Sequence, residues 1–117
     1  MDETTVLFRP VGAKELELIR ESEFSAFPAR LPDQPIFYPV LNEEYAVQIA
    51  RDWNAKHDRV GYVTRFRIRK EYLSRYEVHT VGSSMHRKYW IPAEHLASFN
   101  DNIVGKIELV AEFRHEE

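Results

Sequence analysis

The amino-acid sequence predicts a single α+β domain: a curved, mainly antiparallel sheet with two early helices and one short late helix. Three observations lead there. Apolar residues at helical spacing fall in the first half, where Leu16 and Ile19 are one turn apart and Ala46, Ile49, Ala50 and Trp53 repeat at i, i+3, i+4 and i+7. Strict alternation falls mainly in the second half, over 60–69 and 106–113. Helices and strands do not alternate regularly, which argues against stacked parallel βαβ units. With 117 residues, 44% of them hydrophobic, and no repeat or linker tract, residues 1–117 read as one domain around one core.

In chain order, Thr5–Arg9 is a β-favouring run stopped by Pro10 and Gly12, and the charged segment after it carries Leu16 and Ile19 on a first helix. Residues 24–35 read as irregular and 36–40 as a short extended run. Asn42 then opens the best-marked helix, with Glu43 and Glu44 in the first turn, where the helix dipole favours them. In the strand over 60–69, Tyr62, Thr64, Phe66 and Ile68 share one face; Val63, Arg65, Arg67 and Arg69 share the other. Residues 70–75 read as a turn or a single helical turn, and 76–81 and 88–91 as strands joined across the loop that starts at Gly82. Pro92 starts a short helix where its missing donor costs nothing, ending over 100–105. A last strand over 106–113 sets Ile107, Leu109, Ala111 and Phe113 on one face.

The Phe27–Asn54 stretch is the segment that most resembles a site, because Pro28, Pro32, Pro35 and Pro39 stiffen an aromatic approach to the helix before any ligand arrives. Composition narrows the ligand. Sixteen basic and 19 acidic residues, spread along the chain, give a net charge of −3, so neither nucleic acid nor an anionic membrane is an expected partner. With no cysteine there is no disulfide framework and no thiolate chemistry. The N-terminus lacks a basic and then apolar leader, and a cytoplasmic location is expected. Oligomeric state is left open.

His57, His79, His86, His95 and His115 have no metal-ligand spacing, so no metal is expected. Four glycines do not build a phosphate loop. Arg65, Arg67 and Arg69 form a stripe that either grips phosphates or pairs with neighbouring glutamates. Tyr38, Tyr45 and Trp53 either stack a planar ring or fill the core. Arg9, ending a short apolar strand, needs an anion or a carboxylate beside it. Glu94 and Glu108 stand near strand ends, Glu94 also suiting the first turn of a helix.

Taken in order, the segments at Leu7–Gly12, Ile36–Ala46, Val63–Ile68, Tyr89–Asn100 and Val104–Val110 resemble the core of ADP-ribosyltransferase-type folds. They also resemble small bacterial proteins labelled "ADP-ribosylation/crystallin J". The resemblance covers nearly the whole chain through short motifs. It implies NAD as substrate or ligand, with Arg9 on the adenosine side and Tyr38 and Tyr45 clamping the nicotinamide. The catalytic glutamate that the resemblance implies falls at or near Lys88, where an ammonium opposes the developing positive charge. The aspartate pairs of ADP-ribosylglycohydrolases have no counterpart among Asp33, Asp52, Asp58 and Asp101.

Three functional readings follow. The first is a binding or accessory module for NAD or an ADP-ribose-type ligand, without robust catalysis. The second is an active transferase in which Glu94 or Glu108 replaces the missing glutamate. The third is a structural or protein-interaction domain with no small-molecule ligand.

Overall fold

A computed structural model describes residues 3–80 and 86–114. The chain runs through β1 (Thr4–Val11), α1 (Ala13–Glu21), β2 (Ile36–Phe37) and α2 (Glu43–Ile49). A π-helical turn (Ala50–Asn54) carries α2 directly into α3 (Ala55–Asp58). Then come β3 (Val60–Arg69), the single turn α4 (Lys70–Leu73), β4 (Val78–Thr80), β5 (Arg87–Tyr89) and β6 (Ile91–Pro92). A 3₁₀ turn (Ala93–His95) leads into α5 (Leu96–Asp101), and β7 (Ile103–Arg114) closes the chain. The α+β expectation is met, and every strand pairing is antiparallel. Among the described residues no helix is long and apolar enough to cross a membrane.

Strand β3 is central, paired with β1 on one side and β7 on the other. The outer edge of β1 meets a single residue of the Pro-aromatic segment: Phe8 and Val40 exchange backbone bonds of 2.9 and 2.8 Å. Val40 in turn bridges to Lys88 of β5, which pairs with β4. Backbone donors alternate along a strand, so Pro10 aims its nitrogen at the same outer edge as Phe8. Among the described residues no strand lies there to want a donor. This is why β1 runs through Pro10 to Val11 instead of stopping before it, as the sequence predicts.

The register puts two apolar clusters on opposite faces of the sheet. Leu7, Phe66, Ile68, Phe37 and Phe99 belong to the larger one; Val40, Tyr45, Ala46, Ala50 and Val63 form the smaller one, under α2. The face of β3 expected to be polar is therefore buried at Val63, although Arg67 is exposed. The expected single apolar face of β7 is also corrected. Val63 pairs with Ala111 but Thr64 with Leu109, so Val110 is an extra, bulged residue. Ile107 faces the large cluster, Ala111 and Phe113 the small one, and Leu109 is left 41% exposed. A second irregularity coincides with Gly105, whose φ of 80° suits a residue without a Cβ.

Helix starts are satisfied in two ways. Asn42 caps α2 by accepting from the Tyr45 amide at 2.7 Å, as its side chain predicts. Gly12 offers no acceptor to α1, and Asp58 at the end of α3 supplies one, bonding the Ala13 amide at 2.8 Å. The strand expected over 76–81 starts two residues later, at Val78; Val81, the first loop residues and His115 lie outside the described residues.

Candidate functional site

The irregular segment between α1 and β2 is pinned by side chains. Asn100 of α5 bonds both the amide and the carbonyl of Phe27, at 2.9 and 3.0 Å, and the Ile107 amide reaches the Phe24 carbonyl at 2.7 Å. The segment then passes Arg30 and Gln34 along the outer edge of β1. There, beside Pro10, a cavity of about 310 Å³ opens. Its walls include Arg9, Glu15, Arg30, Gln34, Tyr38, Tyr45, Trp53, Asn54 and Lys88.

Charge in this cavity is unbalanced. Arg9 donates from Nε and Nη2 to the two carboxylate oxygens of Glu15, each at 3.0 Å, a forked pairing that only an arginine makes. Arg30 Nη1 approaches the same carboxylate at 3.6 Å. The three side chains are 11%, 10% and 19% exposed, in the order Arg9, Arg30, Glu15, so water screens them poorly. Both guanidiniums lie over the ring of the fully buried Phe37, 4.7 and 5.8 Å from its centroid. Burial holds the Arg30 guanidinium below its ordinary pKa, Arg9 beside it adding to that and Glu15 opposing it. Arg30 Nε is buried without a hydrogen-bond partner.

Lys88 adds a third cation, its Nζ 4.6 Å from the Tyr38 ring centroid. Two further aromatics are braced by histidines: Tyr45 stacks on His86 at 4.5 Å and Trp53 on His57 at 4.0 Å. Burial raises the Tyr45 phenol above its ordinary value, so it is a neutral hydrogen-bonding group at physiological pH. The structure thus brings Arg9, Tyr38 and Tyr45 to one cavity and sets Lys88 beside them. It also shows that Arg9 has its carboxylate, Glu15, while still lining open space.

Trp53 departs from the expected helix face. Beside Tyr45, the buried helix positions are Ala46, Ala50 and Ala55, so the step between these alanines lengthens from four residues to five across the π-helical turn. The added residue carries Trp53 out of the core to 61% exposure, and Asn54 also lines the cavity.

The two carboxylates considered as replacements lie elsewhere. Glu94 lines a separate hollow of about 230 Å³ with Phe27, Leu96 and Asn100. Glu108 receives Arg65 Nε and Nη2 at 3.3 and 3.2 Å on the exposed sheet surface, so that part of the arginine stripe pairs with a neighbouring glutamate. Among the described residues no group of three or more potential ligands converges on a metal position. Sequence reasoning missed Arg30, Glu15, Gln34 and Asn54. Arg30 carried the one usable signal, a cation inside a proline-stiffened aromatic tract. Glu15 reads as an ordinary first-turn acid, and its partners lie outside any helical spacing. The chain matches no protein-family model, no curated protein and no solved structure.

Proposed function

We propose that the cavity beside β1 binds a phosphorylated, ring-bearing small molecule of the ADP-ribose or NAD type, and that the protein acts as a binding module. One observation carries the reading: among the described residues three cationic side chains share a cavity with a single carboxylate already shared by two of them, and Arg30 Nε is left buried and unpartnered. A buried donor on a cation is costly unless something accepts from it, and a phosphate oxygen does so best. Tyr38, Tyr45 and Trp53 supply aromatic surface for the attached ring. At about 310 Å³ the cavity is at the small end for ligand sites, enough for a phosphate and one ring, with the rest of a dinucleotide lying across the rim.

Arg9, Tyr38 and Tyr45, the residues to which the ADP-ribosyltransferase resemblance assigns ligand contacts, share this cavity, which supports the ligand class. The chemistry of transfer finds less support. Stabilising an oxocarbenium-like ribose asks for a free carboxylate; Glu15 is held by Arg9 and Arg30, and Lys88 stands where the resemblance implies the glutamate. Like charges about 4 Å apart at an effective dielectric near 20 oppose each other by roughly 4 kcal/mol.

Calorimetric and thermal-shift titrations with ADP-ribose, NAD and pyrophosphate test the proposal. All three are expected to stabilise the fold, by about 2.7 kcal/mol at a hundredfold excess over Kd, with no nicotinamide released from NAD. Absence of any stabilisation at millimolar ligand would sink it. Sustained nicotinamide release would restore the transferase reading.

A further inference from the structure

Buried polar atoms are nearly always hydrogen-bonded, so each exception asks for a cause. Among the described residues two buried side-chain atoms have no partner, Arg30 Nε and Asn54 Oδ1. Both residues line the same cavity. One atom is a donor on a cation and the other an acceptor, and they do not satisfy each other. A ligand that completes both must present an acceptor to Arg30, best an anion, and a hydrogen-bond donor to Asn54.

The setting of Asn54 narrows the second group. It lies in the π-helical turn next to Trp53, which is backed by His57 and 61% exposed at the cavity. Trp53 and Asn54 border the same cavity, so a planar ring laid on that indole occupies space that Asn54 also lines. The backbone around Asn54 has little freedom to turn away: a Cβ built on Gly61 of β3 would lie 2.9 Å from the Asn54 Cβ and 2.1 Å from the Ala50 carbonyl oxygen.

We propose that Asn54 is a specificity-determining residue that accepts a hydrogen bond from the exocyclic amino or carboxamide N–H of a heteroaromatic ring whose phosphate is held by Arg30. This rests on the anion-binding reading above and names the part of the ligand that reading leaves open. An amino-bearing purine nucleotide and a carboxamide-bearing pyridine nucleotide share the chemistry, and matched pairs separate them.

The test compares ADP with IDP, in which a carbonyl replaces the amino group, and nicotinamide mononucleotide with nicotinate mononucleotide, in which a carboxylate replaces the amide. Pyrophosphate stands in for the diphosphate of the first pair, and inorganic phosphate for the monophosphate of the second. In at least one pair the N–H ligand is expected to bind about tenfold more tightly, because its analogue leaves the buried acceptor unpaired. Asn54→Leu is expected to abolish that preference and keep the affinity for pyrophosphate. If pyrophosphate binds but neither pair discriminates, or if the preference survives in Asn54→Leu, the role of Asn54 falls and the anion site stands. If neither pyrophosphate nor any nucleotide binds, both fall. Should Asn54→Leu not fold, Asn54→Asp, which keeps the acceptor and the size, is expected to retain the preference, and absence of discrimination in the wild-type pairs still overturns the role of Asn54.

Discussion

Glu15 has to neutralise two guanidiniums at once, and the free energy of the cavity turns on that residue. Arg9 alone would make an ordinary forked pair; Arg30, beside both, has to share an acceptor already engaged. Glu15→Gln leaves two poorly screened cations over the ring of Phe37 with no counter-charge. Breaking a buried pair in this way costs several kcal/mol, and the partial exposure of Glu15 reduces that to about 2 kcal/mol. The same substitution strengthens the cavity's attraction for anions. Urea unfolding at constant ionic strength is expected to show Glu15→Gln destabilised in chloride and recovering much of the loss in phosphate, with a smaller phosphate effect on the wild type. Equal phosphate responses would mean that the three groups do not act as one site. Arg9 was readable from sequence because an arginine closing an apolar strand needs an anion. Arg30 and Glu15 were not, since their meeting depends on a proline-rich segment whose path is fixed by Asn100, far along the chain.

At the scale of elements, the helix of α2 shows what a periodic pattern reveals and where it stops. Its start was legible, because Asn42 followed by two glutamates is a local signal and the observed cap is a local bond. Its phase was not legible past Ala50, because a π-helical turn adds one residue per turn without altering composition. The extra residue has a tertiary cause: β3 passes so close beneath it that only glycine fits at position 61. Gly61→Ala would drive a methyl group into the backbone carbonyl of Ala50, which has no rotamer to move to. The expected loss is about 3 kcal/mol, at the upper end for overpacking, read from the midpoint of denaturant unfolding. Ligand affinity is expected to fall as well, since the turn that must shift carries Trp53 and Asn54. A neutral effect on both measurements would show that the helix and strand separate easily and that the turn does not shape the cavity.

The whole molecule is built around the three-stranded sheet β1-β3-β7 with apolar packing on both faces, and its tyrosines report on both. The alternation in β3 and β7 was legible and the antiparallel α+β class followed from it, but a bulge at Val110 moves β7 from one cluster to the other, and a period-2 pattern cannot show that. Tyr45 belongs to the small cluster; Tyr76 and Tyr89 flank the large one. Burial raises all three phenols, with the hydrogen bond between the Tyr76 and Tyr72 hydroxyls adding to the shift of Tyr76. Tyr76 also ties α4 to the 3₁₀ turn, its hydroxyl lying 2.9 Å from that of Tyr72 and 3.0 Å from His95 Nδ1. An unfolded tyrosine ionises near pH 10, so above that point the unfolded chain releases protons that the folded chain keeps. The stabilisation associated with these neutral phenols is therefore complete below about pH 10 and is lost as pH rises toward the higher folded values. Unfolding free energy should fall with pH above about 10, Tyr76, whose phenol is raised furthest, supplying most of the slope and Tyr45 and Tyr89 adding to it. Tyr76→Phe is expected to lower stability at neutral pH by about 1 kcal/mol through the lost hydrogen bonds, and to make the alkaline slope shallower by about one proton. Denaturant melts across the alkaline range, with tyrosinate absorbance followed in parallel, read both effects; an unchanged slope in Tyr76→Phe would mean that this phenol ionises alike in the folded and unfolded chains.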